Sequence, residues 1–132
     1  MRARGLAVAA ALAAATAGGL GTTGTAHASS HGHNGVCEAA EVCMYWGGGL
    51  TGSYHDYYLQ QPDFAGDRFL SPGSGQGEQV KNNSASASNR FVCNARVYYN
   101  ENYSGPYDTV PSYGSANLVN AWNDNASFNW VC

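Results

Sequence analysis

The chain of 132 residues carries six basic and nine acidic side chains, for a formal net charge of −3. This balance supplies no basic patch to neutralise phosphates, so it argues against nucleic acids and anionic membranes as partners. The sequence also holds no P-loop, HExxH or paired-carboxylate pattern, so we predict a protein that is not an enzyme.

Residues 1–28 have the architecture of a secretory signal peptide. Arg2 and Arg4 give a positive start, an apolar stretch follows over residues 6–15, and residues 26–28 (AHA) form a small-x-small cleavage site. The apolar stretch is too short and too rich in alanine for a membrane span. We therefore predict a secreted, extracellular protein that loses both arginines and becomes more acidic still.

The next segment, residues 29–36 (SSHGHNGV), is small and polar and predicts a flexible N-terminal arm. If the mature chain starts there, Ser29, Ser30 and His31 offer an amine, two amides and an imidazole. Such a set of nitrogen ligands suits Cu²⁺ or Ni²⁺ in a square plane. The alternative is an arm whose metal affinity is incidental.

The four cysteines predict two disulfide bonds, because an even number in a short exported chain is typical of a disulfide frame. Three connectivities are formally open. Cys37 and Cys43 are close in sequence, so we predict that they pair with each other and that Cys93 pairs with Cys132.

From Cys43 onward, short aromatic and β-branched runs are punctuated by Gly, Pro and Asn, which predicts an all-β domain. The domain is an internal duplication. Tyr45, Gly52 and Tyr54 match the residues at positions 98, 105 and 107, at a constant offset of 53. Residues 82–86 likewise match 123–127 at an offset of 41, and both copies end in Val-Cys.

The repeats run over about residues 42–93 and 95–132 of a domain that spans residues 37–132. Each copy predicts an aromatic strand, a tight turn, and a glycine with positive φ over which the first tyrosine packs. We expect four short strands per copy, and a two-sheet sandwich that neither half completes alone. The extra residues of the first copy are placed in the Gly/Ser-rich stretch 71–79.

The repeat resembles the βγ-crystallin Greek-key fold, whose signature is an aromatic, four residues, an aromatic, one residue and a glycine. Tyr98, Tyr103 and Gly105 fit this signature fully, and Tyr45 and Gly52 fit it with a leucine at the middle position. Together with the early cysteine pair and the predicted secretion, the chain is similar to the actinobacterial peptidase inhibitors of family I36.

That resemblance implies a non-enzymatic binding protein whose partner is an extracellular peptidase, since the best-known family members inhibit metalloproteinases. In those inhibitors a second close cysteine pair tightens a reactive loop, and Cys93 has no near neighbour here. We expect a monomer that requires no cofactor.

Two loops are candidates for contact with a peptidase. The stretch 71–79 is long enough to protrude, but its glycines predict a floppy loop. The shorter turn at Asn100, Glu101 and Asn102 is the stiffer candidate. Trp46 and Trp122 are candidate anchors on a binding face. His55-Asp56 suggests acid/base chemistry, but no nucleophile accompanies the pair, so we expect a structural role.

A calcium-binding module is the alternative function, and an antimicrobial or toxin-like protein on the same fold is a third. Microbial crystallins bind calcium through an N/D-N/D-x-x-S/T-S stretch in each repeat, and the chain matches its first five positions twice. The oxygen ligands that this implies are those of Asn82, Asn83, Ser84, Ser86, Asn123, Asp124, Asn125 and Ser127. The sixth position is alanine in one copy and phenylalanine in the other, and the alternative is that these residues only form turns.

Overall fold

The computed structural model describes residues 31–132, so the predicted signal peptide, Ser29 and Ser30 lie outside the described residues. Two antiparallel sheets make up this part of the chain. Their strands, in chain order, are β1 (Val42–Gly47), β2 (Thr51–Tyr57), β3 (Ser86–Asn89), β4 (Asn94–Asn100), β5 (Ser104–Val110), β6 (Ser115–Asn117) and β7 (Ser127–Val131). Within residues 31–132, no helix has the length and apolar character needed to cross a bilayer.

One sheet has the strand order β2-β1-β3-β6 and the other β5-β4-β7. Strand β6 of the second repeat therefore completes the sheet of the first, where it pairs with β3. In the opposite direction, Gln61 of the first repeat bridges Phe128 on β7. The predicted all-β sandwich of two interdependent Greek-key repeats is confirmed.

The first repeat has three strands rather than the expected four. The segment equivalent to β6 is reduced to the bridge at Gln61, whose N–H and carbonyl each bond Phe128 at 3.0 Å. The next residue, Pro62, has no N–H with which to extend a ladder. The prediction of a fourth strand in this copy is therefore wrong.

In each repeat, a serine holds the hairpin turn with the same two hydrogen bonds. Ser86 Oγ accepts the Leu50 N–H at 2.9 Å and donates to the Gly47 carbonyl at 2.6 Å. In the second repeat, Ser127 Oγ accepts from the backbone N–H of residue 103 at 3.1 Å and donates to the carbonyl of residue 100 at 2.6 Å. Each hydroxyl thus satisfies one backbone N–H and one carbonyl of its turn that would otherwise lack a partner.

The signature aromatics pack as the repeat predicts. The rings of Tyr45 and Tyr54 lie 5.0 Å apart, and the equivalent pair in the second copy lies 5.5 Å apart. Gly52 and Gly105 have φ values of +79° and +83°. Positive φ values of this size strain residues that carry a Cβ, which favours glycine at both turns.

The core between the sheets is apolar and continuous across both repeats. Tyr57 lies 5.1 Å from Phe64 and 5.5 Å from Phe128, centroid to centroid. Around these rings pack Val42, Met44, Phe69, Val80, Ala87, Ala95, Val97, Val110, Leu118 and Ala121. Because Phe64 belongs to the first repeat and Phe128 to the second, burial of apolar area stabilises both halves together.

Two disulfide bonds join Cys37 to Cys43 and Cys93 to Cys132, the pairs that the sequence predicts. The first closes a separation of 6 residues beside β1, and the second a separation of 39 that spans the second repeat. No cysteine in the described part of the chain is left with a thiol.

Removal of the longer bridge should destabilise the protein more than removal of the shorter one. In the chain-entropy model, closing 39 residues contributes about 4 kcal/mol and closing 6 contributes about 2 kcal/mol. We expect the Cys93→Ser/Cys132→Ser double variant to lose more unfolding free energy in urea than Cys37→Ser/Cys43→Ser. Equal losses would contradict this assignment.

Candidate functional site

The second-repeat turn (residues 100–103) is exposed but has a fixed backbone. Asn102 and Tyr103 adopt φ values of +56° and +58°, in the left-handed region that non-glycine residues seldom occupy. The Asn102 N–H donates to the Pro62 carbonyl at 2.8 Å, and Ser127 holds both ends of the turn. This segment therefore presents its side chains from a preorganised backbone.

A lysine of the first repeat bridges this turn to the loop beside it. Lys81 Nζ lies 2.8 Å from Glu101 Oε2 and 2.9 Å from Asp63 Oδ1. Hydrogen bonds to Glu101 and Asp63 raise the pKa of Lys81, and its ammonium lowers the pKa of Asp63. All three groups are reachable by solvent, so the bridge orients the turn more than it stabilises the fold.

The insertion loop (residues 71–79) is anchored, where its glycines predict a floppy loop. Trp46 packs beneath it, and the indole Nε1 donates to Glu78 Oε1 at 3.1 Å. The Ser53 N–H donates to the Ser74 carbonyl at 2.8 Å, which joins the loop to β2. These long-range bonds anchor a backbone that glycine leaves unrestrained, while the flexibility of the loop stays a prediction.

The insertion loop contacts one copy of a repeated aromatic position. Trp46 in β1 corresponds to Tyr99 in β4, and Gly75 of loop 71–79 lies against the Trp46 ring, which remains 37% exposed. The Tyr99 side chain is 43% exposed and Tyr107, on the neighbouring strand β5, is 41% exposed. Both strands next to the second-repeat turn therefore carry an exposed tyrosine.

Trp46 and Trp122 line the same open depression, of about 320 Å³, together with Asn83 and Asn123. Trp122 is exposed over 55% of its surface. The structure thus brings together two of the predicted contact anchors, and places them beside two of the predicted calcium ligands rather than beside the second-repeat turn.

The two Asn/Ser stretches lie against each other across the repeats. The Asn82 N–H donates to the Asn125 carbonyl at 2.8 Å, and the Asn123 N–H donates to the Ser84 carbonyl at 3.0 Å. Asn125 Nδ2 donates to the carbonyls of Ser84 and Ala121, at 2.7 and 3.0 Å. Among the described residues, Asn125 Oδ1 is one of two buried side-chain atoms without a hydrogen-bond partner.

The remaining predicted calcium ligands are less suited to a cation. The Ser86 and Ser127 hydroxyls each make the two turn hydrogen bonds described above, and the sixth positions, Ala87 and Phe128, are buried in the core. Asp124 supplies a carboxylate from an exposed position. The turn hydrogen bonds therefore explain why each repeat has a serine at this position.

Residues 31–36 are packed against the sheet, where the sequence predicts a flexible arm. The Asp56 carboxylate accepts the N–H groups of Asn34 at 2.9 Å and Gly35 at 2.7 Å. The fully buried carboxylate of Glu41 accepts the Gly32 N–H at 2.5 Å, and burial raises its pKa. Buried carboxylates thus satisfy the backbone donors of this segment, while the flexibility of the arm stays a prediction.

The two histidines of this segment that the structure describes have different surroundings. The ring of His31, the predicted copper ligand, stacks on Tyr58 at 4.9 Å. His33 reaches the buried His55 on β2, and Asp67 lies close by. Burial lowers the pKa of His55. Sequence reasoning missed this cluster because its members are separated by long stretches of chain.

The described domain has the architecture of a βγ-crystallin. A solved structure described as "Evolution of the eye lens beta-gamma-crystallin domain fold" matches it with a TM-score of 0.58 and 14% identity, over 73% of this chain and 90% of that one. A second, "Crystal structure of a betagamma-crystallin from an Archaea", gives a TM-score of 0.49 and 20% identity, over 71% and 100%.

The family itself follows from the sequence. The model of peptidase inhibitor family I36 matches residues 30–110, more than half of the chain, which therefore belongs to that family. The match includes the insertion loop and the second-repeat turn. No curated protein matches the chain.

The contact between the insertion loop and Trp46 can be tested with two glycines of that loop. Gly75 and Gly77 both have positive φ, +85° and +88°, but a Cβ would meet the Trp46 ring at 2.2 Å only from Gly75. Gly77→Ala should cost about 1 kcal/mol for backbone strain alone. Gly75→Ala should cost a further 1–3 kcal/mol or so from overpacking. Equal unfolding free energies in urea would show that the loop does not contact Trp46.

Proposed function

We propose that the protein is a secreted, non-enzymatic inhibitor of an extracellular peptidase and that the second-repeat turn is its contact with the enzyme. Family membership and the two disulfide bonds support inhibition in an oxidising, extracellular setting. The observation that carries the proposal is an exposed turn whose backbone is fastened by Ser127 and Pro62.

A fixed turn favours inhibition for a thermodynamic reason. Ordering a loosely held loop on binding costs free energy that is subtracted from the affinity, whereas the 100–103 backbone is ordered beforehand. The tight hairpin also resists the extended conformation that a peptidase requires of a substrate. The exposed side chains of Tyr99 and Tyr107 each supply apolar area on the strands next to the turn.

Inhibition should depend on the side chains of the turn. In Glu101→Ala/Asn102→Gly the glycine keeps the positive φ of position 102, and one solvent-accessible ion pair, Lys81–Glu101, is lost, so the fold should be retained. We expect the inhibition constant to rise at least tenfold, about 1.4 kcal/mol, against whichever peptidase responds in a panel of metallo- and serine enzymes.

The matched control is Gln76→Arg, which adds a bulky charge to the exposed insertion loop. It should leave the inhibition constant within about twofold, since the proposed contact lies elsewhere. Loss of inhibition in Gln76→Arg but not in the turn variant would move the contact to the insertion loop. A panel in which no peptidase responds would reject the proposed function and leave the fold unaffected.

Calcium binding is a second candidate, favoured by the unpartnered Asn125 Oδ1 between the two Asn/Ser stretches. We expect weak binding, because Asp124 is the one carboxylate in those stretches and both repeat serines are engaged in turns. The melting temperature should rise by no more than a few degrees in 10 mM calcium, about the effect of a site half to mostly filled.

Asp124→Asn should abolish any such rise without disturbing the fold, since the carboxylate is exposed. Magnesium at the same concentration controls for ionic strength. A melting temperature unchanged by calcium in the unmodified protein would end this candidate.

A further inference from the structure

A cluster of two imidazoles and a carboxylate lies where the N-terminal segment meets β2. His33, His55 and Asp67 each offer a ligand atom, and these atoms all lie within 4.8 Å of one another. His55 is buried, Asp67 is partly buried and His33 is exposed, so the cluster opens to solvent on the side of His33.

The hydrogen bonds of His55 orient it as a metal ligand. Its Nδ1 lies 2.6 Å from the Arg68 carbonyl oxygen, and a carbonyl can only accept, so Nδ1 carries the proton. Nε2 is then an unprotonated donor atom, 2.8 Å from Nδ1 of His33. An imidazole whose second N–H donates to a backbone carbonyl is the usual arrangement for histidine bound to a metal.

Asp67 is also held from behind. Tyr57 Oη and Gln61 Nε2 donate to the same oxygen, Oδ2, at 2.9 and 3.1 Å. Both bonds go to Oδ2, so they orient the carboxylate without using Oδ1. These two donors position Asp67, as the Arg68 carbonyl positions His55.

The N-terminal segment holds His33 over the cluster at some cost in backbone energy. His33 has a φ of +60°, which is uncommon for a residue other than glycine, and its N–H donates to the Asp56 carbonyl at 2.8 Å. The buried carboxylates of Glu41 and Asp56 fasten the residues on either side of it. The chain thus fixes an exposed imidazole in a strained conformation next to a buried one.

We propose that His33, His55 and Asp67 form a binding site for a divalent cation of the zinc class. Two imidazoles and a carboxylate are ligands that Zn²⁺ accepts, with a fourth position open to solvent beside His33. Ligand nitrogens around tetrahedral Zn²⁺ lie roughly 3.3 Å apart, so the two rings must separate by about 0.5 Å from their present hydrogen bond. When the metal binds, the proton on Nδ1 of His33 moves to Nε2 of the same ring. The imidazole stays neutral, and no other protein group has to accept the proton.

The site goes beyond peptidase inhibition, since none of its ligands belongs to the second-repeat turn. Its consequence is a link between residues 31–36 and the first sheet, next to the Cys37–Cys43 bridge. A bound cation should therefore stabilise the folded protein, because the unfolded chain does not bring these three residues together.

Co²⁺ and Zn²⁺ test the site directly in the disulfide-intact protein, prepared without a histidine tag and stripped with EDTA. One equivalent of Co²⁺ should give the visible absorption of a low-coordinate ion, and Zn²⁺ should displace it. At Zn²⁺ concentrations about a hundred times Kd, the melting temperature should rise by roughly 10 °C or more.

The matched variants are His33→Ala and His31→Ala, two exposed histidines on the same segment. His33→Ala should weaken Co²⁺ binding at least tenfold, while His31→Ala should leave it within twofold. The melting temperature of each stripped variant is the control for a purely structural loss. Unmodified protein without saturable Co²⁺ absorption or a Zn²⁺-dependent rise would overturn the proposal, and so would equal losses in the two variants.

Discussion

The exchange of segments between the two repeats is the constraint on which the structure depends. Strand β6 leaves its own repeat to pair with β3, and Gln61 reaches back to Phe128. Neither sheet is complete without the other half, and the aromatic core of Tyr57, Phe64 and Phe128 forms only when both are in place. The second-repeat turn and the paired Asn/Ser stretches are therefore supported by both copies of the repeat.

The second-repeat turn shows how that exchange reaches the surface. Asn102 bonds to Pro62 directly after the Gln61 bridge, and Lys81 joins Glu101 to Asp63. The turn thus rests on the first repeat as well as on its own strands. Its fixed backbone is a property of the whole sandwich rather than of a local hairpin, so the turn is held in place without a second close cysteine pair.

Residues with a local physical role could be predicted from the sequence. Gly52 and Gly105 occur where the backbone has positive φ, and the cysteine spacing left a simple pairing, so the repeat and its covalent frame followed. The contacts that anchor residues 31–36 and 71–79 could not be predicted. They are made by Asp56, Glu41 and Trp46, whose partners in those segments have no recognisable spacing in the sequence. The same holds for His33 and Asp67.

The repeat serines were correctly singled out as shared, but their pattern alone did not distinguish a calcium ligand from the fastening of a turn.

The insertion loop has a consequence for stoichiometry. A duplicated domain would ordinarily offer two equivalent faces, and a partner could occupy both. Here the first-repeat turn contains Gly47, Gly48 and Gly49 followed by the apolar Leu50, while the strand residue beside it, Trp46, contacts loop 71–79. The second copy presents the side chains of Asn100, Glu101 and Asn102 in its turn. Internal symmetry is thereby retained in the core and broken at the surface, so that a partner which recognises the turn meets one copy of it on each molecule.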